Sequence, residues 1–377
     1  MSLVTKLVLA AKAFDRRVWP NHRIALTRDL VSRLKNDKLR IADVGSADGP
    51  EDRWLTISDL TQFITFEPNT RSESNSPDNT VNFPIGLWSR RDKMPLYITA
   101  HPDSSSLCKI NREVFDDYLI QLGSQVVKQI EIEVSTLDAC LETKGKEGLT
   151  PHFLKIDVEG GDLEVMKGAE GTILSSVLGI RTEAVLRPLW VGCPELWDVN
   201  KHLRSKGFAL FTLGKVQWIR NNGLFGYTSQ PQLIWGDAVF FLAKEPFIKR
   251  MESISIENRE ILLIHFTVIL LAHGCHDYAL EIVETVKDKK LVNEANVSNC
   301  EQSIRNSVDK SCFVILWLAM GAAFALLVYL VFCLVKPTRE HAKFYLKQRL
   351  GRFCSSALRW TGKAGRPYGA SIEDQYD

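Results

Sequence analysis

The chain has 377 residues, 45% of them apolar and 24% charged, with a net charge of +2 at neutral pH. That length suits one large domain with appendages or two domains, and the composition is that of a folding chain rather than a disordered one. A charge so near zero excludes a global pull toward nucleic acid. Eight scattered cysteines without a C-x-x-C pair exclude a zinc-ribbon framework and read as free thiols.

The N-terminal apolar run at 7–11 is too short for a signal peptide and lacks a cleavage site. Residues 1–37 are expected to be a helical segment, with Ile24, Leu26, Leu30, Val31 and Leu34 on one apolar face. Residues 40–45 read as a short buried strand entering a glycine turn, 63–68 as a second strand ended by an acid and a proline, and 81–88 as a third. Residues 96–99 and 130–134, the latter alternating with period two, predict an antiparallel excursion. Further strands are expected at 153–158, 180–185, 208–212 and 238–243. Strands alternating with helical patterns predict an α/β fold, a doubly wound and mostly parallel sheet over 38–248. Residues 249–295 predict a helical extension. Its apolar stretch at 261–272 is too short to cross a bilayer and reads as a packed helix or one lying in the interface.

Residues 312–335 contain no charge over 24 positions. As a helix they would reach about 36 Å against roughly 30 Å of hydrocarbon, which predicts a transmembrane helix and a single-pass membrane protein. Ala319, Gly321, Ala323 and Ala325 would let a second helix approach closely, the pattern of a homodimer. The tail at 336–377 holds nine Lys/Arg against one acid between Lys336 and Arg366. Its apolar residues recur every three or four positions, as in a basic amphipathic helix on an anionic membrane.

The run F-L-K-I-D-V-E-G-G-D beginning at Phe153 threads a lysine and two carboxylates through a buried strand. Burying lone charges costs several kcal/mol, so such a strand belongs where its carboxyl end opens into a ligand crevice. With period two, Lys155, Asp157 and Glu159 share one face. Asp157 and Glu159 could then hold a substrate hydroxyl or accept its proton, and Lys155 could balance their charge. The D-V-G-S-A-D-G run from Asp43 puts small residues at a strand-to-helix turn, where backbone N–H groups can face a ligand. Glu67 follows Gly45 by 22 residues at the end of the next strand, where a carboxylate can accept from both hydroxyls of a ribose. His273 and His276 flank a glycine and read as local caps rather than metal ligands. The clustered acids would admit a divalent ion, but without a clear histidine or a second fixed ligand no metal is assigned.

The F-L-K-I-D-V-E-G-G-D-L-E-V-M-K-G-A run resembles the signature of the FkbM family of S-adenosylmethionine-dependent methyltransferases. The D-V-G-S-A-D-G, F-E-P-N, S-S-L (from Ser105) and T-L-D (from Thr136) elements are similar to others of that family, in order, over about 38–245. The resemblance implies a class I methyltransferase fold, a seven-stranded Rossmann-like sheet with an antiparallel final strand. It also implies S-adenosylmethionine as cofactor and O-methylation of a hydroxyl-bearing acceptor such as a sugar, glycan or glycolipid. On this sequence Asp43, Gly45, Ser46 and Gly49 would line the cofactor and Glu67 would hold its ribose. Asp157 and Glu159, with Lys155, would serve catalysis. The chain departs from the family at Ser46-Ala47-Asp48 and at Ser89-Arg90-Arg91, where an acid near the adenine is usual.

Two alternatives share these features. A nicotinamide-dependent oxidoreductase would use the same turn and acid, but Gly45 lacks a glycine two residues on. A catalytically silent binding or scaffold protein at a membrane would keep the fold. The side of the membrane is left open. A basic tail in the cytosol puts the catalytic domain across the bilayer, whereas a cytosolic cofactor leans the domain toward the cytoplasm.

Overall fold

The computed structural model describes residues 24–46, 49–68, 77–100, 104–118, 125–142, 149–221 and 230–308. Apart from Val308, these lie in the first of the two units into which the chain divides, Met1–Ser307. The elements are α1 (Arg28–Asn36), β1 (Leu39–Val44), α2 (Asp52–Leu55), β2 (Thr61–Phe66), β3 (Thr80–Phe83), β4 (Gly86–Leu87) and β5 (Asp92–Thr99). Then come α3 (Arg112–Phe115), β6 (Val126–Ser135), α4 (Leu137–Glu142), β7 (Phe153–Ile156), α5 (Asp162–Lys167), α6 (Glu170–Ser175), β8 (Gly179–Val185) and α7 (Leu196–Ser205). The chain continues through β9 (Phe208–Leu213), β10 (Val216–Trp218), β11 (Gln232–Leu242), α8 (Lys244–Glu252), α9 (Ile256–Ala272), α10 (His276–Asp288) and α11 (Glu294–Val308).

The main sheet runs β10-β11-β8-β7-β1-β2-β3, and β9 also pairs with β11. β3, β2, β1, β7 and β8 are mutually parallel. β11 is antiparallel to β8, β9 and β10. After β3 the chain returns past β1 to lay down β7, so strand order reverses between β1 and β7. Ligands of open α/β sheets bind at such a switch point, beyond the carboxyl ends of the strands. The central strands are apolar almost throughout, with Ile41, Ala42 and Val44 of β1 and Phe153, Leu154 and Ile156 of β7 all buried. Strands covered on both faces require this. A second, three-stranded sheet, β4-β6-β5, carries the antiparallel excursion, which pairs from Asp92↔Val134 to Thr99↔Val126.

The strand expected at 153–158 is shorter. Asp157 N still donates to Val44 O at 3.0 Å, but Glu159 (φ 56°) and Gly160 (φ 95°) enter the left-handed region and turn the chain into α5. Period two therefore does not govern Glu159.

α9 is buried from Leu263 through Ala272 without a break. A helix apolar all round must be enclosed, and this one is: Phe266 packs on Phe247 of α8, and His265 Nε2 lies 3.0 Å from the Asp37 carbonyl oxygen. One buried cluster joins Leu30 of α1, the sheet, α9, α10 and Ile304 of α11. The apolar stretch at 261–272 is thus the interior of a packed helix.

The membrane-anchored expectation is corrected. Among the described residues no helix is long and apolar enough to cross a membrane, since α9 has 17 residues and the others fewer. The transmembrane helix expected at 312–335, its dimer pattern and the basic tail at 336–377 lie outside the described residues. With no such helix in hand, the single-pass placement, the membrane as partner and the choice of membrane side do not stand.

Candidate active site

Register alone assembles most of the site. Thr65 of β2, Asp43 of β1, Lys155 of β7 and Arg181 of β8 are consecutive Cα partners, so one polar row crosses the sheet on a single face. One step further along that face stand Asp157 beyond β7, Glu183 of β8 and Asp237 of β11, the last two being Cα partners. Toward the amino ends the same face is apolar. There Phe153 is closed over by Trp54 and His273, their ring centroids 5.2 and 5.0 Å away. His273 Nδ1 lies 2.8 Å from Ile269 O, which makes it part of a helix end.

Lys155 links the two halves of the site. Its Nζ lies 3.0 Å from Asp43 Oδ1, 3.6 Å from Asp157 Oδ2 and 3.5 Å from Gly45 O. The Lys155 and Asp43 side chains are 12% and 4% exposed. Burial pushes the Asp43 carboxyl up to about 6, against the pull of Lys155. Burial alone would lower the Lys155 ammonium, but Asp43 and Asp157 outweigh it and raise it. Above pH 6 the pair is therefore ionic. Arg181 forms a second brace, NH1 to Glu51 Oε1 at 2.5 Å and NH2 to Asp237 Oδ1 at 2.9 Å. It ties the segment after the glycine turn to β8.

The glycine turn differs from its expected role. Gly45 (φ 78°) and Gly49 (φ 79°) are both left-handed, as glycine permits. Their amides do not point to a ligand, because Gly45 N donates to Phe66 O at 3.0 Å and Gly49 N to Ser46 O at 3.1 Å. What Gly45 provides is close approach: a Cβ there would strike the Asp157 carbonyl oxygen, only 2.0 Å away. Ser46 is buried beside it. Glu67 stands half-buried just past β2, its amide donating to Phe83 O at 3.1 Å.

Glu159 is brought to Asp157 by the turn rather than by the strand. Its carbonyl accepts from Ser106 Oγ at 2.6 Å, and the next residue, Gly160, lies against the Trp190 ring, where a Cβ would be 2.7 Å away. Carboxylate oxygens of Asp157, Glu159 and Glu183 lie within 4.8 Å of one another. Burial, followed by Glu159, Asp162, Asp157 and Asp237, raises Glu183 well above the usual range. Asp162 is pushed up to about 7 by burial, while the Thr182 hydroxyl at 2.7 Å and the Glu183 amide at 3.1 Å favour its anion.

The structure thus gathers Asp43, Gly45, Lys155, Asp157 and Glu159, with Glu67 at the end of the adjacent strand. Sequence reading missed Arg181 and Glu183. Their signal was available, since R-T-E inside the strand at 180–185 breaks an apolar run just as Lys155 and Asp157 do.

Residues 43–210 match the family described as Methyltransferase FkbM domain. The chain carries an FkbM methyltransferase domain. That domain's chemistry is methylation dependent on S-adenosylmethionine. Among solved structures, a methyltransferase FkbM from Methylobacillus flagellatus is 15% identical, covering 54% of this chain and 44% of its own, with a TM-score of 0.30. This chain therefore spans less than half of that protein. An antibiotic-related methyltransferase is 11% identical over 58% of this chain and 96% of its own, with a TM-score of 0.24. No curated protein matches.

The residues present fit the cofactor. At Gly45 the first strand's turn comes directly against the Asp157 backbone, with no room for a side chain. Around it Asp43, Asp157, Glu159, Glu183 and Asp237 outnumber Lys155 and Arg181, a balance suited to a sulfonium cation.

Proposed function

We propose that this FkbM domain transfers the methyl group of S-adenosylmethionine to a hydroxyl oxygen of its acceptor. The observation that carries the reading is Asp157 beside the Gly45 turn, sharing the Lys155 ammonium with Asp43. In this reading Asp43, Gly45, Ser46 and Gly49 line the cofactor, Glu67 accepts from its ribose hydroxyls, and Asp157 and Glu159 face the acceptor.

When bound, the cofactor supplies an electrophilic sulfonium methyl. The protein's share is alignment and proton removal. Asp157 lies in reach of a hydroxyl at the strand mouth and takes its proton, while Lys155 fixes the carboxylate that does so. Alignment is worth about 7–11 kcal/mol in favourable cases and a positioned base about 10²–10⁴-fold. The geometry of the turn therefore contributes more than any one carboxylate.

Labelled methyl transfer into hydroxylated extracts, with binding followed by calorimetry, tests the assignment. Asp157→Asn should lower turnover by about a hundredfold or more with cofactor affinity nearly unchanged. Glu67→Ala should instead weaken cofactor binding by about tenfold or more, the worth of charge-assisted hydrogen bonds. Wild-type turnover in Asp157→Asn would refute the role of Asp157. Label recovered on nitrogen rather than oxygen would refute O-methylation.

A further inference from the structure

We infer that Asp157, Glu159 and Glu183 form a binding site for a divalent cation of the magnesium–manganese class. Their carboxylate oxygens lie within 4.8 Å of one another. Opposite oxygens on an octahedral ion of this class stand about 4.2 Å apart, a gap closed by small rotations of the half-exposed Asp157 and Glu159 side chains.

The second observation is Glu183 itself. It is 7% exposed, its carboxylate is one of the three that converge, and its Oε2 has no hydrogen-bond partner among the described residues. An ionised carboxylate is not normally buried without pairing or metal ligation. No basic side chain among the described residues pairs with it. Lys155 is engaged by Asp43 and Asp157, and Arg181 by Glu51 and Asp237. Asp237, its Cα partner on β11, adds a further like charge. Among the described residues the acids here outnumber the bases, and a bound cation would offset that excess.

The donor set fixes the class. Three carboxylates with no imidazole or thiolate suit hard, oxygen-seeking ions rather than zinc or copper. Three protein ligands leave octahedral positions for water or for acceptor oxygens. Resting on the methyl-transfer reading, an acceptor hydroxyl on that ion would ionise more readily. Its O–H bond would break, with the proton passing to a carboxylate oxygen not used in ligation.

The test is calorimetry of the metal-free full-length protein with manganese chloride alone, without cofactor or acceptor. One Mn²⁺ per chain is expected, weakened tenfold or more in Glu183→Gln and in Glu159→Gln, and unaltered in Glu252→Gln on the far surface. Circular dichroism checks the fold of each variant, and Glu159→Gln decides the matter if Glu183→Gln does not fold. No Mn²⁺ binding by the wild type, or binding that neither folded variant weakens, overturns the site. Methyl transfer that persists in chelator would overturn the ion's part in the reaction. Mn²⁺ binding without methyl transfer would leave the site standing and sink the reading of function instead.

Discussion

Lys155 holds two carboxylates on one ammonium, and only the Asp43 side of that arrangement is buried. Removing the lysine would strand the Asp43 charge, whereas removing both partners of a buried pair is far cheaper. Lys155→Met should therefore lower unfolding free energy by about 3–5 kcal/mol, and Asp43→Asn/Lys155→Met should regain part of it, both measured by urea denaturation. A loss below about 1 kcal/mol, the level of a surface pair, would show the pair to be idle. Lys155 and Asp157 were legible because charge inside an apolar strand contradicts its own context. Glu159 was legible as a member of the site but not in its geometry. Its left-handed backbone depends on Ser106 and Trp190, both remote in sequence, and no periodicity carries that information.

At the scale of elements, the T-L-D run proves to be architectural. Thr136 Oγ1 accepts from Ala139 N at the start of α4. Asp138 reaches across to α6, where it accepts from Gly171 N at 2.8 Å, Thr172 N at 3.0 Å and Thr172 Oγ1 at 2.6 Å. α6 has no cap from its own N-cap residue, Ala169. Asp138→Ala should cost about 1–3 kcal/mol, the worth of a lost cap with its charge-assisted bonds, as a lowered thermal midpoint. Cofactor affinity should stay unchanged, and a large loss of affinity would give Asp138 a role in the site. The strands were read well because buried β sequences here are apolar and bounded by turn residues. Their order was not in the periodicity, and the family motifs supplied it.

For the molecule as a whole, two buried imidazoles set part of the acid response. His152 and His265 stack with ring centroids 3.9 Å apart, facing Arg40 and the Asp37 backbone. Burial pulls His265 down to about 4, although the Asp37 carbonyl opposes it. Burial, His265 and Arg40 hold His152 well below its usual value. Because His265 is lowered in the folded state, its contribution is complete above about pH 6.5 and is lost as pH falls toward 4. The buried acids Asp43, Asp162 and Glu183 are raised instead, so they favour folding as pH falls and flatten the wild-type profile. The difference between proteins isolates the histidine. From pH 7 to 5 the wild type should lose about 2 kcal/mol relative to His265→Gln, read from denaturation midpoints at both pH values. A constant gap would mean that folding does not lower the His265 imidazole at all.

The enclosure of α9 bears on how the chain is made. Translation completes the catalytic sheet at Leu242, yet the residues that wrap it run on to Ile304. At about 5–20 residues per second the nascent sheet waits several seconds on the ribosome with its greasy flank uncovered. During that interval the uncovered flank is the part of the chain most open to aggregation.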